Sequence, residues 1–154
     1  MKHRITLTRR EALVGAGAAM AALQAGAAIA AAPTPFEDAI RGVVGEGAPE
    51  TGRVKLDIPS LSENGNSVAV TVTVESPMTT ADHVRAIYLF SEKNPFPDVA
   101  RFHLNPRMGR AEVSTTIRLA TSQRVAALAE MSDGSFFRDE KDVIVTLSAC
   151  LDGG

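Results

Sequence analysis

The chain has one cysteine, no tryptophan, one tyrosine and three histidines among its 154 residues. Each shortage closes a route. A single cysteine makes no internal disulfide and no Cys-x-x-Cys pair for redox or metal chemistry. The histidines are His3, His83 and His103, and the last two fall in different segments without ligand-like spacing, so a metal centre is poorly supported. No Gly-rich phosphate loop or nucleophile-elbow serine is present, and no paired carboxylates stand out for acid–base work. Asp133 belongs to a turn and Glu37 to a helix cap. A Cys–His nucleophile pairing remains open, but nothing marks His83 or His103 as its base. As an enzyme the chain lacks equipment, and no cofactor is expected.

The first thirty residues read as an export signal. Lys2, Arg4, Arg9 and Arg10 form a basic head, succeeded by an uncharged Ala/Gly-rich run from Ala12 to Ala32. Ala28-Ile29-Ala30 is a small-x-small cleavage site that makes Ala31 the first mature residue. Thr8-Arg9-Arg10-Glu11-Ala12-Leu13 fits the twin-arginine pattern, an address for export of folded protein. An ordinary secretory signal and a retained anchor are the other readings. Against the anchor, alanine is much less lipophilic than leucine, although the run is long enough to span a bilayer. The expected compartment is the periplasm of a Gram-negative bacterium.

Signal removal changes the charge. Of 16 basic and 18 acidic residues, residues 1–30 carry four and one, so the remainder carries 12 and 17, a net of −5. That balance argues against nucleic acid or anionic lipid as a partner. About 124 mature residues suit one domain with one core.

Thr34-Pro35-Phe36-Glu37 opens a short helix. Thr34 is the expected N-cap, Pro35 the first helical residue and Glu37 the capping-box partner. Phe36, Ile40, Val43 and Val44 share one face, and Gly45 and Gly47 stop the helix. Its expected place is over an edge or end of the strands that come after it. From Arg53 the period becomes two. Strands are expected at residues 54–58, 68–74, 84–91, 99–104 and 112–119, with an Asn-Gly turn at 64–65. Asn94-Pro95-Phe96-Pro97 reads as a rigid loop and Asn105–Gly109 as a further turn. Gln123–Met131 would be helix on propensity alone. Its strand neighbours and the hairpin-type turn Asp133-Gly134-Ser135 favour strand. Phe136-Phe137 leads to a last strand at 142–147. About seven short strands at roughly ten-residue spacing predict an all-β, immunoglobulin-like antiparallel β-sandwich with a short N-terminal helix and a flexible C-terminal arm. The Cys-Trp-Cys pin of that class is missing. The expected division is a signal at 1–30, a domain at 31–147 and an arm at 148–154.

The arm, Ser148-Ala149-Cys150-Leu151-Asp152-Gly153-Gly154, holds the one cysteine. Two readings stand. Cys150 is either the last core residue of its strand, since free cysteines mostly pack inside, or a solvent-facing thiol on a loose chain end. Three residues beyond Leu147, the sulfur could move roughly 10 Å from the sandwich. Asp152 would disfavour the thiolate, so nothing in the tail activates it.

Several stretches in order carry a family resemblance. Ser62–Val68 (SENGNSV), Ser76–Thr79 (SPMT), Glu92–Pro97 (EKNPFP), Ile117–Gln123 (IRLATSQ), Ala129–Gly134 (AEMSDG) and the terminal cysteine resemble SoxY, the sulfur carrier of bacterial thiosulfate oxidation. The resemblance runs from about Pro35 to the end, and the twin-arginine signal fits it. It implies an immunoglobulin-like subunit paired with a second small sandwich, SoxZ, and acted on by partner enzymes. A haem protein, SoxAX, oxidatively joins thiosulfate to the terminal thiol, and the hydrolase SoxB releases sulfate. In some systems SoxCD then oxidises the remaining sulfur. Cys150 is the position onto which the attachment role maps.

The tail departs from the family's usual Gly-Gly-Cys-Gly-Gly. Ser148 and Ala149 precede the thiol, and Leu151 and Asp152 separate it from the glycines. Leu151 adds bulk, and Asp152 sets a negative charge near an adduct that is also negative. Either the partner enzymes have wider mouths, or this is a divergent paralogue carrying another sulfur species.

Overall fold

Pro35 fixes the first φ of a helix whose N-cap, Thr34, accepts a hydrogen bond from the Glu37 N–H at 3.4 Å. This helix, α1 (Pro35–Val44), opens a computed structural model that describes residues 34–148. The capping box expected at Glu37 is not closed. Both carboxylate oxygens of Glu37 instead accept from the Arg138 guanidinium, at 3.0 and 3.2 Å, because a bidentate charged pair outcompetes a single bond to a backbone N–H. The export signal and the arm beyond Ser148 lie outside the described residues. No helix among those described is long and apolar enough to cross a membrane.

Eight strands come after the helix: β1 (Val54–Asp57), β2 (Leu61–Ser62), β3 (Val68–Val74), β4 (Val84–Ser91), β5 (Asp98–His103), β6 (Ala111–Ile117), β7 (Gln123–Met131) and β8 (Phe136–Val145). They form a three-stranded sheet, β1-β3-β6, and a five-stranded sheet, β2-β8-β7-β4-β5. The two-sheet, mostly β architecture with one short helix is the one the sequence predicts. Asn105–Gly109 forms a single 3₁₀ turn over Pro106–Met108, closed by Gly109 in the left-handed region.

Three expectations need correction. The 62–66 turn forms as expected, but a short strand that was not expected precedes it. Pro59 has no N–H for a ladder, and after it the chain leaves the small sheet. Leu61 and Ser62 then pair with Ile144 and Val145 of the large one. That pairing is parallel, as is the isolated Glu50–Phe137 bridge further back along β8, because in both places the chain travels in the same direction as β8. The last strand is also longer than the expected 142–147. It begins at Phe136, where Asp133-Gly134-Ser135 turns it directly back along β7, with Gly134 at φ 86°.

The third concerns α1, which covers a sheet face, not an edge or end. Phe36 and Ile40 pack on Ala86, Tyr88, Phe90, Ala126 and Leu128, the outward residues of β4 and β7. The inward residues of these strands, Ile87, Leu89, Val125, Ala127 and Ala129, meet Leu56 and the valines of β3 across the sandwich. β4 and β7 are therefore buried on both faces, which explains why Val125–Ala129 is continuously apolar rather than alternating. The alternation of β3, buried at every second position, marks a strand with one wet face. Asp139 ties the two sheets, its carboxylate accepting from the Leu56 N–H at 2.8 Å.

Arg138 clamps the helix to β8. Beyond the fork with Glu37, it donates to Glu140 at 2.7 Å and lies over the Phe36 ring, 5.6 Å from its centroid. The Arg138 hydrogen bonds hold the Glu37 carboxyl below its ordinary value of 4.5, against the opposing pull of burial. A carboxylate depressed in the folded state contributes stability above its unfolded pKa and loses it as pH falls through the folded value. Urea unfolding should therefore show Glu37→Gln less stable than the parent at neutral pH, with the gap closing from about pH 5 to about pH 3. A gap that stays constant over that range would contradict the clamp.

Candidate functional site

β1, β2, β4, β6 and β8 all run toward the same end of the sandwich, the end at which Val145 leaves β8. Three connections gather there: Glu63–Ser67, Glu92–Pro97 and Arg118–Ser122. The chain leading to the arm is secured among them. Ser122 Oγ accepts from the Val145 N–H at 2.9 Å and donates back to the Val145 carbonyl at 3.4 Å. The Thr146 N–H donates to the Ser62 carbonyl at 3.1 Å, and the buried Gly65 N–H to the Leu147 carbonyl at 2.8 Å. Gly65 in turn accepts from the Leu119 N–H at 2.8 Å, so its residue joins the 118–122 connection to the outgoing chain. The protein thus holds its C-terminal strand by backbone bonds as far as Leu147.

The Glu92–Pro97 loop is braced against the same connection. Asn94 Oδ1 accepts from the Ala120 N–H at 3.0 Å and from Gln123 Nε2 at 2.9 Å, while its Nδ2 donates to the Arg118 carbonyl at 2.9 Å. Gln123 is buried, and its Oε1 accepts from the Lys93 N–H at 2.7 Å. The Ser91 N–H donates to the Pro97 carbonyl, closing the loop at 2.9 Å. All the amide capacity of Asn94 and Gln123 that faces inward is spent on holding two loops in fixed relation.

The side chains with the widest chemical repertoire are scattered. Half-buried His83, with Nδ1 3.1 Å from the Thr79 carbonyl, and exposed His103 both stand at the opposite end, near the start of β4 and the finish of β5. Asp133 sits in the β7–β8 turn, its carboxyl lowered by the Ser135 hydroxyl and N–H. Tyr88 is raised first by burial and then by its hydrogen bond to Glu130 at 2.9 Å, and it belongs to the packing beneath α1. Among the described residues no group of three or more His, Cys, Asp or Glu could hold a metal ion. Cys150 itself lies outside them. Ser122 and Asn94 were not singled out by sequence reasoning. Asn before Pro signals a turn, but nothing local indicates a partner more than twenty residues away.

The fold and this end define a two-sheet β-sandwich whose best-built surface feature is the root of a C-terminal arm. A family model described as sulfur oxidation protein SoxY matches residues 40–150, and the chain belongs to that family. It is similar to the sulfur carrier protein SoxY from Chlorobium limicola f thiosulfatophilum at 29% identity and a TM-score of 0.61, covering 73% of this chain and 97% of that one. A superoxide reductase (neelaredoxin) from Ignicoccus hospitalis aligns at 22% identity and a TM-score of 0.54, covering 61% of this chain and 80% of that one. A putative superoxide reductase from Thermotoga maritima aligns at 20% and 0.51, covering 64% and 87%. These last two likenesses concern the fold alone. No curated protein matches the chain.

The arm root makes a direct prediction. Ser122→Ala leaves the Val145 N–H without its acceptor, at a cost of about 1 kcal/mol in urea unfolding. Amide exchange at Val145 and Thr146 should quicken by more than this global loss, while Leu89 follows the global loss alone. Exchange at residues 145–146 that merely tracks Leu89 would show that Ser122 does not secure the root.

Proposed function

We propose that this protein is a periplasmic sulfur carrier that binds thiosulfate-derived intermediates covalently on Cys150 and presents them to Sox enzymes, catalysing none of the steps itself. Membership of the SoxY family supports the reading most strongly, since its match extends to residue 150 and so takes in the cysteine. The arm root supports it physically: a carrier needs a scaffold that does not move while its terminal segment is worked on. Residues 1–30 act as a twin-arginine signal, 31–147 as the domain and 148–154 as the substrate-carrying arm. The partners are a SoxZ-like second subunit, a SoxAX-type haem enzyme, a SoxB-type hydrolase and a SoxCD-type dehydrogenase. With a thiol that its own chain leaves unactivated, reaction is confined to the interior of those enzymes.

In the joining step, the Cys150 thiolate and one thiosulfate form an S–S bond, the thiol proton is lost, and two electrons pass to the haem enzyme. Hydrolysis of the resulting thiosulfonate adduct breaks its S–S bond to the sulfonate, so sulfate leaves and a persulfide remains. Intact mass of protein from thiosulfate-grown cells should show a chain beginning at Ala31 with sulfur or sulfonate increments that vanish in Cys150→Ser. Unmodified thiol throughout would sink the carrier role, and an increment of another composition would identify a different cargo.

The departure from Gly-Gly-Cys-Gly-Gly points to partner enzymes with wider mouths. Thiosulfate turnover with the cognate enzymes should be unchanged when Ser148–Gly154 is replaced by Gly-Gly-Cys-Gly-Gly. A several-fold gain would show that Leu151 and Asp152 obstruct entry.

A further inference from the structure

Five large hydrophobic side chains are exposed among the described residues: Leu61 at 54%, Phe96 at 81%, Met108 at 50%, Ile144 at 58% and Leu147 at 69%. Their distribution is lopsided. Leu61 and Ile144 are cross-strand neighbours where β8 finishes, Leu147 is in the arm root, and Phe96 tips the loop beside it. Only Met108 is at the other end, in the 3₁₀ turn after β5.

Phe96 differs from the rest in how it is held. It stands between Pro95 and Pro97, each with a fixed φ. Its loop is braced by the three hydrogen bonds of Asn94 and by Gln123 beneath. This support contributes nothing to burying the ring. An exposed aromatic ring carried on a braced backbone leaves only its side-chain torsions to be fixed on binding, which suits an interface hot spot.

The short spacing between Ser148 and Cys150 says who meets it. Cys150 is two residues beyond Ser148, within about 7 Å of backbone. A folded protein that takes this thiol into its interior is therefore drawn against the loops around the arm root. Phe96 is on one of those loops, and the Thr121–Gln123 stretch connects the residues that brace it to Ser122, which holds the root.

We propose that Phe96 is the anchor by which the enzyme acting on Cys150 seats itself on this end of the sandwich, with Leu147 extending the apolar contact. This inference rests on the carrier reading for the identity of the occupant. The partner it fits has an apolar hollow for one aromatic ring beside the mouth that receives the arm. The surrounding charges, Glu63, Glu92, Lys93 and Arg118, are of mixed sign. The contribution of the ring is therefore insensitive to salt, unlike a purely electrostatic encounter.

The test uses the processed chain together with its co-purified second subunit, and the SoxAX-type haem enzyme as probe. Affinity is measured in a Cys150→Ser background, where no transfer occurs, and KM and kcat in the parent. Phe96→Ala should weaken affinity and raise KM by roughly tenfold or more with kcat little changed, equally at low and high salt. Phe96→Leu should recover much of this, Met108→Ala should have no effect, and thermal stability and retention of the second subunit should stay at the parent's values. Parent-like affinity for Phe96→Ala, an equal loss with Met108→Ala, or a loss caused by release of the second subunit would each overturn the anchor. Because the affinity measurement needs no thiol, it separates the two ideas. A mass adduct on Cys150 with no Phe96 effect overturns the anchor alone, and a Phe96 effect without any adduct overturns the carrier role alone.

Discussion

Everything else in this protein depends on two strands, β4 and β7, being dry on both faces. The inward side chains meet the valines of β3 and β1, and the outward ones lie beneath α1. A β-sheet with a helix on one face and a second sheet on the other has no soft side, so its central strands are set by packing alone. The hinge of this arrangement is small. Phe36 and Ile40 supply the apolar contact of a ten-residue helix, and the Arg138 fork supplies its orientation. An isolated helix of that length is marginal in water; it persists here because its apolar stripe has somewhere to go.

From that rigid centre the structure passes order outward to its C-terminal end. β7 begins at Gln123, which is both a core residue and the floor of the Glu92–Pro97 loop. One residue earlier, Ser122 holds β8's last N–H and carbonyl. The stretch that starts one of the two strands dry on both faces thus fixes both the departing chain and the loop beside it. Chain that continues past Leu147 therefore starts from a fixed position.

Much of the strand pattern was legible in the sequence because burial on one face leaves a period of two, as in Val68–Val74. β7 was legible only through its neighbours: Val125–Ala129 has helical propensity, and the tertiary environment overrides it. β2 was not legible, because two residues hold no period. The destination of Glu37 was equally hidden, since its partner Arg138 is 101 positions away. Local chemistry suggested a cap, and long-range charge decided otherwise. At the arm end, two of the stretches that carry the family resemblance, Glu92–Pro97 and Ile117–Gln123, meet, and only the geometry shows them bonded to each other. Cys150 was conspicuous from the sequence by its solitude.

The crossing between sheets at Pro59 also closes a margin. Without it β8 would be bare at its finish and open to pairing there. Near its finish it is occupied by Leu61 and Ser62, and near its start by Glu50, which exchanges backbone bonds with Phe136 and Arg138. A visiting protein therefore finds little room to add a strand of its own alongside the one that leads to the cysteine. What this leaves open is the end of the strand, along its own axis.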